Sequence, residues 1–319
     1  MIRIAHLIAL VPLAAHAQPA SQIYSLAWRP DGAVIALGGY KEVRLVDVVS
    51  RKPVATLAGH AEAVRALAFS RDGKRLAAAG GLPGRVGEVK IWDGAAPGLP
   101  GRAAGTITGH SDCIYAAAFS PGGATLATAG YDRLIKLWDV AKAKEIRTLR
   151  DHIDAVYALA FTPDGRRLVS GAADRSVKVW DAATGTRLYT LSGSTDGINS
   201  IALSPDGSRL AAGGLDRTIR IWRIGEREGA LENTLIAHED AIVKLAWSPD
   251  GQYLASASAD RTIKLFQAAD LLEVRTIANQ PDWAFGLEFA PNGHSLAAGF
   301  FNGVLQIYEI DHGKTLASK

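Results

Sequence analysis

Histidine, aspartate and hydroxyl side chains recur through this sequence in a fixed order. His110, Thr128 and Asp132 make one set, and His152, Ser170 and Asp174 another. These are the residue types of a nucleophile–base–orienter relay, so an enzyme must be weighed first. A catalytic constellation occurs once and sits in a cleft, whereas this one returns repeat after repeat, which favours a structural role. Other chemistry is thinly represented. The eight histidines show no paired spacing with a glutamate between them, and the one cysteine, Cys113, has no partner thiol, so no metal site is expected. A Cys-x-x-Cys-His haem attachment, a phosphate-binding glycine loop and a dinucleotide fingerprint are all missing from the sequence, and no cofactor is expected. Arg133, Arg175, Arg217 and Arg261 each follow a turn aspartate, which reads as ordinary solvated turn chemistry.

The elements that must position these residues are written as one phrase repeated seven times: an apolar run ending in Phe or Trp, then Ser-Pro-Asp-Gly or a variant, then a second apolar run and Trp-Asp. Anchored at Asp31, Asp72, Gly122, Asp164, Asp206, Asp250 and Asn292, the copies are 41, 50, 42, 42, 44 and 42 residues apart. A period in the low forties with short alternating runs and turn residues is the period of an all-β propeller. In the third copy the spacing predicts an inner strand at 114–119, then strands at 125–129, 135–138 and 146–149. Small residues on the inner strands, such as Ala66, Ala116 and Ala158, let those strands crowd around an axis.

Trp92-Asp93, Trp138-Asp139, Trp180-Asp181, Gly59-His60 and Gly109-His110 carry a family resemblance: residues 23–319 resemble a WD-repeat β-propeller. The resemblance implies seven blades of four antiparallel strands, near 23–60, 61–109, 110–151, 152–193, 194–237, 238–279 and 280–319. It also implies that His110, Thr128, Asp132 and Trp138, and likewise His152, Ser170, Asp174 and Trp180, form a buried hydrogen-bonded chain holding each blade rigid. Departures at Val46-Asp47, Trp222-Arg223 and Tyr308-Glu309 predict that the first, fifth and seventh blades rest mainly on apolar packing, with the softest seam between the last and the first.

Relatives of this kind bind partners at the rim where the inner strands begin. One step into each inner strand stand Tyr24, Arg65, Tyr115, Tyr157, Asn199, Val243 and Phe285; near the turn aspartates stand Tyr40, Tyr131 and Phe301, with Trp283 close by. A rim rich in Tyr, Phe and Trp with an Arg has the composition of a protein-binding hot spot. The expected function is therefore a non-catalytic scaffold for a protein or peptide, with Tyr24, Tyr40, Arg65, Tyr115, Tyr131, Tyr157, Trp283, Phe285 and Phe301 as the binding residues. The insert Leu82-Pro83-Gly84-Arg85-Val86-Gly87 falls on the same rim. The rival is an enzyme or a binder of a small ligand or metal in the central channel, where Glu288 breaks the column of alanines.

Net charge is +3 over 319 residues, too weak a balance for nucleic acid as the main partner. Residues 1–17, with Arg3, a short apolar run and Ala15-His16-Ala17, read as a signal peptide that would place a bacterial protein in the periplasm. The alternative, a cytoplasmic protein, makes this segment an outer strand closing the ring. No stretch after residue 20 is long and apolar enough to span a bilayer. The phrases around Tyr40 to Leu45 and Leu82 to Arg85 resemble bacterial propellers found beside haem-bearing cytochrome domains. With no haem motif here, that resemblance implies at most a cytochrome partner on another chain.

Overall fold

The computed structural model describes residues 22–94 and 102–310; the expected signal segment 1–17 and an expected last outer strand around Leu316 lie outside them. The described residues form strands and turns without helix, paired into seven antiparallel sheets, the first two of which are continuous through one long strand. The first holds Ser25–Trp28, Val34–Gly38, Tyr40–Asp47 and the first half of Pro53–Phe69. That long strand then becomes the inner strand of the second sheet, ahead of Arg75–Leu82, Val86–Asp93 and Arg102–His110. The third comprises Ile114–Phe119, Thr125–Gly130, Leu134–Asp139 and Lys144–Arg150, its strands matching the expected ones or extending them by one to three residues. The fourth, fifth and sixth sheets, also of four strands, begin at Val156–Phe161, Ile198–Leu203 and Ile242–Trp247. The seventh has Ala284–Phe289, Ser295–Phe300 and Leu305–Glu309.

Each inner strand packs against the next, and the first packs against the seventh, so the ring closes on itself. Apolar burial follows the same plan. There is no single core but a cluster at every junction: Val34, Val43, Leu45, Leu76 and Trp92 join sheets one and two, and Ile23, Trp28, Ile35, Ala290 and Ala297 join seven and one. A lone sheet would leave one such face in water, and burying each large side chain there is worth about 1.5–3 kcal/mol.

The opposite face is locked by the Ser-Pro-Asp-Gly turns. At six of the seven steps the glycine of one turn lies against the proline of the preceding turn, from Gly73 on Pro30 through Gly251 on Pro205 to Gly32 on Pro291 across the seam; at the remaining step Gly123 meets Ser70, because Arg71 replaces the proline. Gly207 shows why the position is glycine: its φ is +71°, and a Cβ there would come 2.5 Å from Pro163 Cδ.

Polar contacts also hold the sheets. In the fifth, expected to rest on packing, Asp216 forms a buried ion pair with Arg220 at 2.6 Å, so an arginine two residues before the Trp stands in for the histidine. In the seventh, Tyr308 Oη shares its one proton between the amide oxygens of Gln280 and Gln306, using a loop glutamine in the same capacity. Both add a polar lock to sheets expected to rest mainly on apolar packing, and both substitutes come from residue types that a His-Asp-Trp pattern does not search for.

Candidate functional site

The rim column owes its orientation to the backbone. The inner strands skip a residue of register between Val64 and Ala66, Ile114 and Ala116, Val156 and Ala158, Ile198 and Ser200, Ile242 and Lys244, and Ala284 and Gly286. The skipped residues are Arg65, Tyr115, Tyr157, Asn199, Val243 and Phe285. In the first sheet Tyr24 N donates to Gly38 O at 2.8 Å while Ser25 also pairs with Gly38, which leaves Tyr24 in the same place. A bulge residue has no ladder partner and bends its strand, so its side chain is re-aimed. Here that repeats around the mouth of the axial channel.

Most of these side chains touch. The Trp283 and Phe285 rings lie 6.4 Å apart, Phe285 and Phe301 5.7 Å, and Phe301 and Tyr24 5.7 Å, in edge-on arrangements. Arg65 then bridges, its guanidinium carbon 5.5 Å from the Tyr24 ring and 5.1 Å from that of Tyr115. Tyr115 continues to Tyr157 at 5.2 Å and Tyr131 at 6.5 Å. The result is a continuous aromatic arc over the seventh, first, second, third and fourth sheets, with Arg65 at its centre. Asn199 and Val243 leave the other two sheets plain.

Within the arc the residues differ in role. Tyr24 and Tyr157 are buried and form its backing, whereas Tyr131 is 43% exposed and Arg65, Tyr115, Trp283, Phe285 and Phe301 are half-buried. Burial pushes the Tyr115 phenol up to about 12 against the opposing charge of Arg65, so it stays a neutral hydrogen-bonding group at physiological pH. Tyr40 stands apart, its hydroxyl donating to Glu62 at 3.2 Å and its ring under Lys41. The 82–87 insert is a tight hairpin leaning on the loop into the third sheet: Gly84 N donates to Asp112 Oδ1 at 2.9 Å. Cys113 donates to Gly81 O and is buried, and that burial pushes its thiol up to about 11, which makes it a packing residue. Arg133, Arg175, Arg217 and Arg261 occupy left-handed turn positions with φ of 62° to 68°.

Below the arc runs a cavity of about 610 Å³ lined by the inner strands. Its wall mixes small and large apolar residues, with Arg65 at the mouth and two further charged residues on neighbouring sheets, Glu288 and Lys244, the second of which no sequence motif marks. Both keep some accessible surface toward the cavity although protein surrounds them. That enclosure pushes the Glu288 carboxyl up to about 7 and lowers the Lys244 ammonium, each opposed by the other's charge. Glu288 also fastens the seam where the ring closes. Its Oε2 accepts from Trp28 N at 2.9 Å, and its carbonyl accepts from Trp28 Nε1 at 3.2 Å.

The His-Asp-hydroxyl sets lie within single sheets. His110 contacts Asp132 at 2.9 Å and Thr128 at 2.8 Å, and Trp138 Nε1 donates to Thr128 at 2.7 Å. His152, Asp174, Ser170 and Trp180 repeat this with distances of 2.7, 2.8 and 2.9 Å. The sixth sheet carries a third set, His238, Asp260 and Ser256, ending at Phe266, which has no N–H to add. Burial alone would raise the aspartates; hydrogen bonds from the histidines and the backbone reverse this and hold them below the usual carboxylate range. Both ring nitrogens of each of these histidines have partners inside the sheet, and the histidines are buried, so nothing faces a substrate. Among the described residues no three His, Cys, Asp or Glu converge in a metal-binding group, and no helix is long and apolar enough to cross a membrane.

The comparisons with known proteins agree with this architecture. The model of the IFT122 first beta-propeller matches residues 155–318, half of the chain, and the WD domain, G-beta repeat model matches 51–93 and 101–139. Target of rapamycin complex subunit wat1 of Schizosaccharomyces pombe is 40% identical over 81 residues, 25% of this chain and 24% of that protein. The match thus spans about a quarter of the relative's length. That relative is eukaryotic and lends nothing to the bacterial cytochrome resemblance. With one propeller model covering half the sequence, WD repeats matched at two further segments and a ring of radial antiparallel sheets, the chain belongs to the WD-repeat β-propeller family.

Proposed function

We propose that the protein is a non-catalytic platform that holds a protein or peptide partner on its aromatic rim. The observation that carries this reading is the continuous arc from Trp283 to Tyr157, built on repeated bulges and centred on Arg65. Tyr, Trp and Arg at a water-excluding centre are the residues that dominate binding energy at protein interfaces. The sheets fix them before binding, so little conformational entropy is lost on association. The name of the yeast relative as a complex subunit is in keeping with a life among protein partners. The histidine sets, satisfied within their sheets, serve stiffness.

The test is affinity purification from native extract with mass spectrometry, comparing the wild type with a Tyr131→Ala, Phe285→Ala variant of matched circular dichroism and melting temperature. Neither side chain belongs to a buried cluster between the sheets. The expected result is a set of proteins that the variant loses by tenfold or more; equal recovery by both would refute the rim.

A further inference from the structure

Two cations at the mouth of the channel have no carboxylate in direct contact among the described residues, although Glu288 acts on Lys244 from a distance. Arg65 is clamped between Tyr24 and Tyr115, and its buried Nε has no hydrogen-bond partner. Lys244 stands one residue beyond the bulge of the sixth inner strand and lines the same cavity as Arg65. The two sheets are as far apart around the ring as seven sheets allow, so these side chains face the bore from opposite sides. Among the described residues neither makes an ion pair. The nearby acids are hydrogen-bonded elsewhere: Glu62 accepts from Tyr40, and Glu288, two residues further along its inner strand than the level of Lys244, accepts from Trp28 and offsets the Lys244 charge only from a distance.

A cation withdrawn from water without a partner is costly to keep, and the cost is recovered when an anion completes the site. Stacking on two rings presets the plane of the Arg65 guanidinium, whose donors then match the two oxygens of a carboxylate, while Lys244 supplies a point charge. We infer that the channel mouth is a carboxylate pocket: an acidic segment of the partner lies along the aromatic arc and places an Asp or Glu side chain between Arg65 and Lys244. The pocket rests on the rim reading and adds the chemistry of the partner to it. The aromatic surround is what selects a peptide over a free anion, because a bare anion would leave the arc uncovered.

The experiment is selection of a phage-displayed random peptide library on the immobilised full chain, followed by affinity measurement of the recovered peptides. Binding is measured on the wild type, on Lys244→Met, on Arg65→Met with Lys244→Met, and on Tyr131→Ala with Phe285→Ala. The expected result is enrichment of Asp or Glu, binding at least tenfold weaker to Lys244→Met and weaker again to the double cation variant, and loss of affinity as salt rises. Peptides that need Tyr131 and Phe285 but carry no acid, or that ignore both cation variants, would overturn the carboxylate pocket and leave the rim standing. Peptides indifferent to all the variants, or no selectable peptide, would overturn both.

Discussion

Ala78 stands where Thr128 and Ser170 stand in the following sheets, opposite a lysine in the same register. With no hydroxyl there, His60 Nε2 and Trp92 Nε1 are buried without hydrogen-bond partners, and His60 Nδ1 lies 3.3 Å from Glu88. Burial accordingly lowers the His60 pKa to about 4, against the pull of Glu88. Ala78→Ser should supply both missing bonds and stabilise the protein by about 1–2 kcal/mol in urea denaturation. Its mirror, Thr128→Ala, should cost about 2–3 kcal/mol by orphaning His110 and Trp138. Glu288 gives a pH signature. Its folded pKa of about 7 lies above its ordinary 4.5, so the native state keeps the proton longer. Its contribution to stability is full below about 4.5, falls as pH rises through about 7, and stays low above that. Glu288→Gln keeps an acceptor for Trp28 N without the charge. It should stabilise the protein by about 2–3 kcal/mol at pH 8 and by less than about 1 kcal/mol at pH 5, read from urea midpoints at the two pH values. A wild-type advantage at pH 8 would show that the charge itself holds the seam. The sets at His110 and His152 are legible in the sequence because a Trp-Asp closes each, while the His238 set, which ends in Phe266-Gln267, is not; nor is Lys244, because one lysine in an apolar strand carries no motif.

The strand is where the rim is made. Inner strands are readable from apolar runs between Gly, Pro and Asp, and in the third copy the observed ends fall within about three residues of the expected ones. The bulges are not readable, since a skipped hydrogen bond leaves no trace in residue type; sequence position puts the side chains on the rim, and backbone geometry turns them inward. The stand-ins Arg220 and Gln280 are hidden for a similar reason, because hydrogen-bond capacity can be supplied by unlike residues. The turns on the opposite face predict a sharp penalty: Gly207→Ala combines a left-handed φ with a clash on Pro163 and should destabilise by about 2 kcal/mol or more in thermal or urea unfolding, whereas Gly105→Ala, with open space around its Cβ site, should cost less than half of that.

As a whole the molecule is a closed ring with two unlike faces. The turn face interlocks glycine on proline at all but one step; the rim is graded, aromatic over five sheets and plain over two. Seven-fold repetition makes the ring legible from spacing alone, but the grading, and with it the identity of the binding face, emerges only when side chains from separate repeats are brought into contact. Site-specific photo-crosslinking in native extract tests that face most directly, with a photoreactive residue placed at Tyr131 on the rim or at Arg166 in a turn of the opposite face. The rim account requires protein adducts at Tyr131 that are absent at Arg166; adducts at Arg166 with none at Tyr131 would contradict it and move the partner to the other face of the ring.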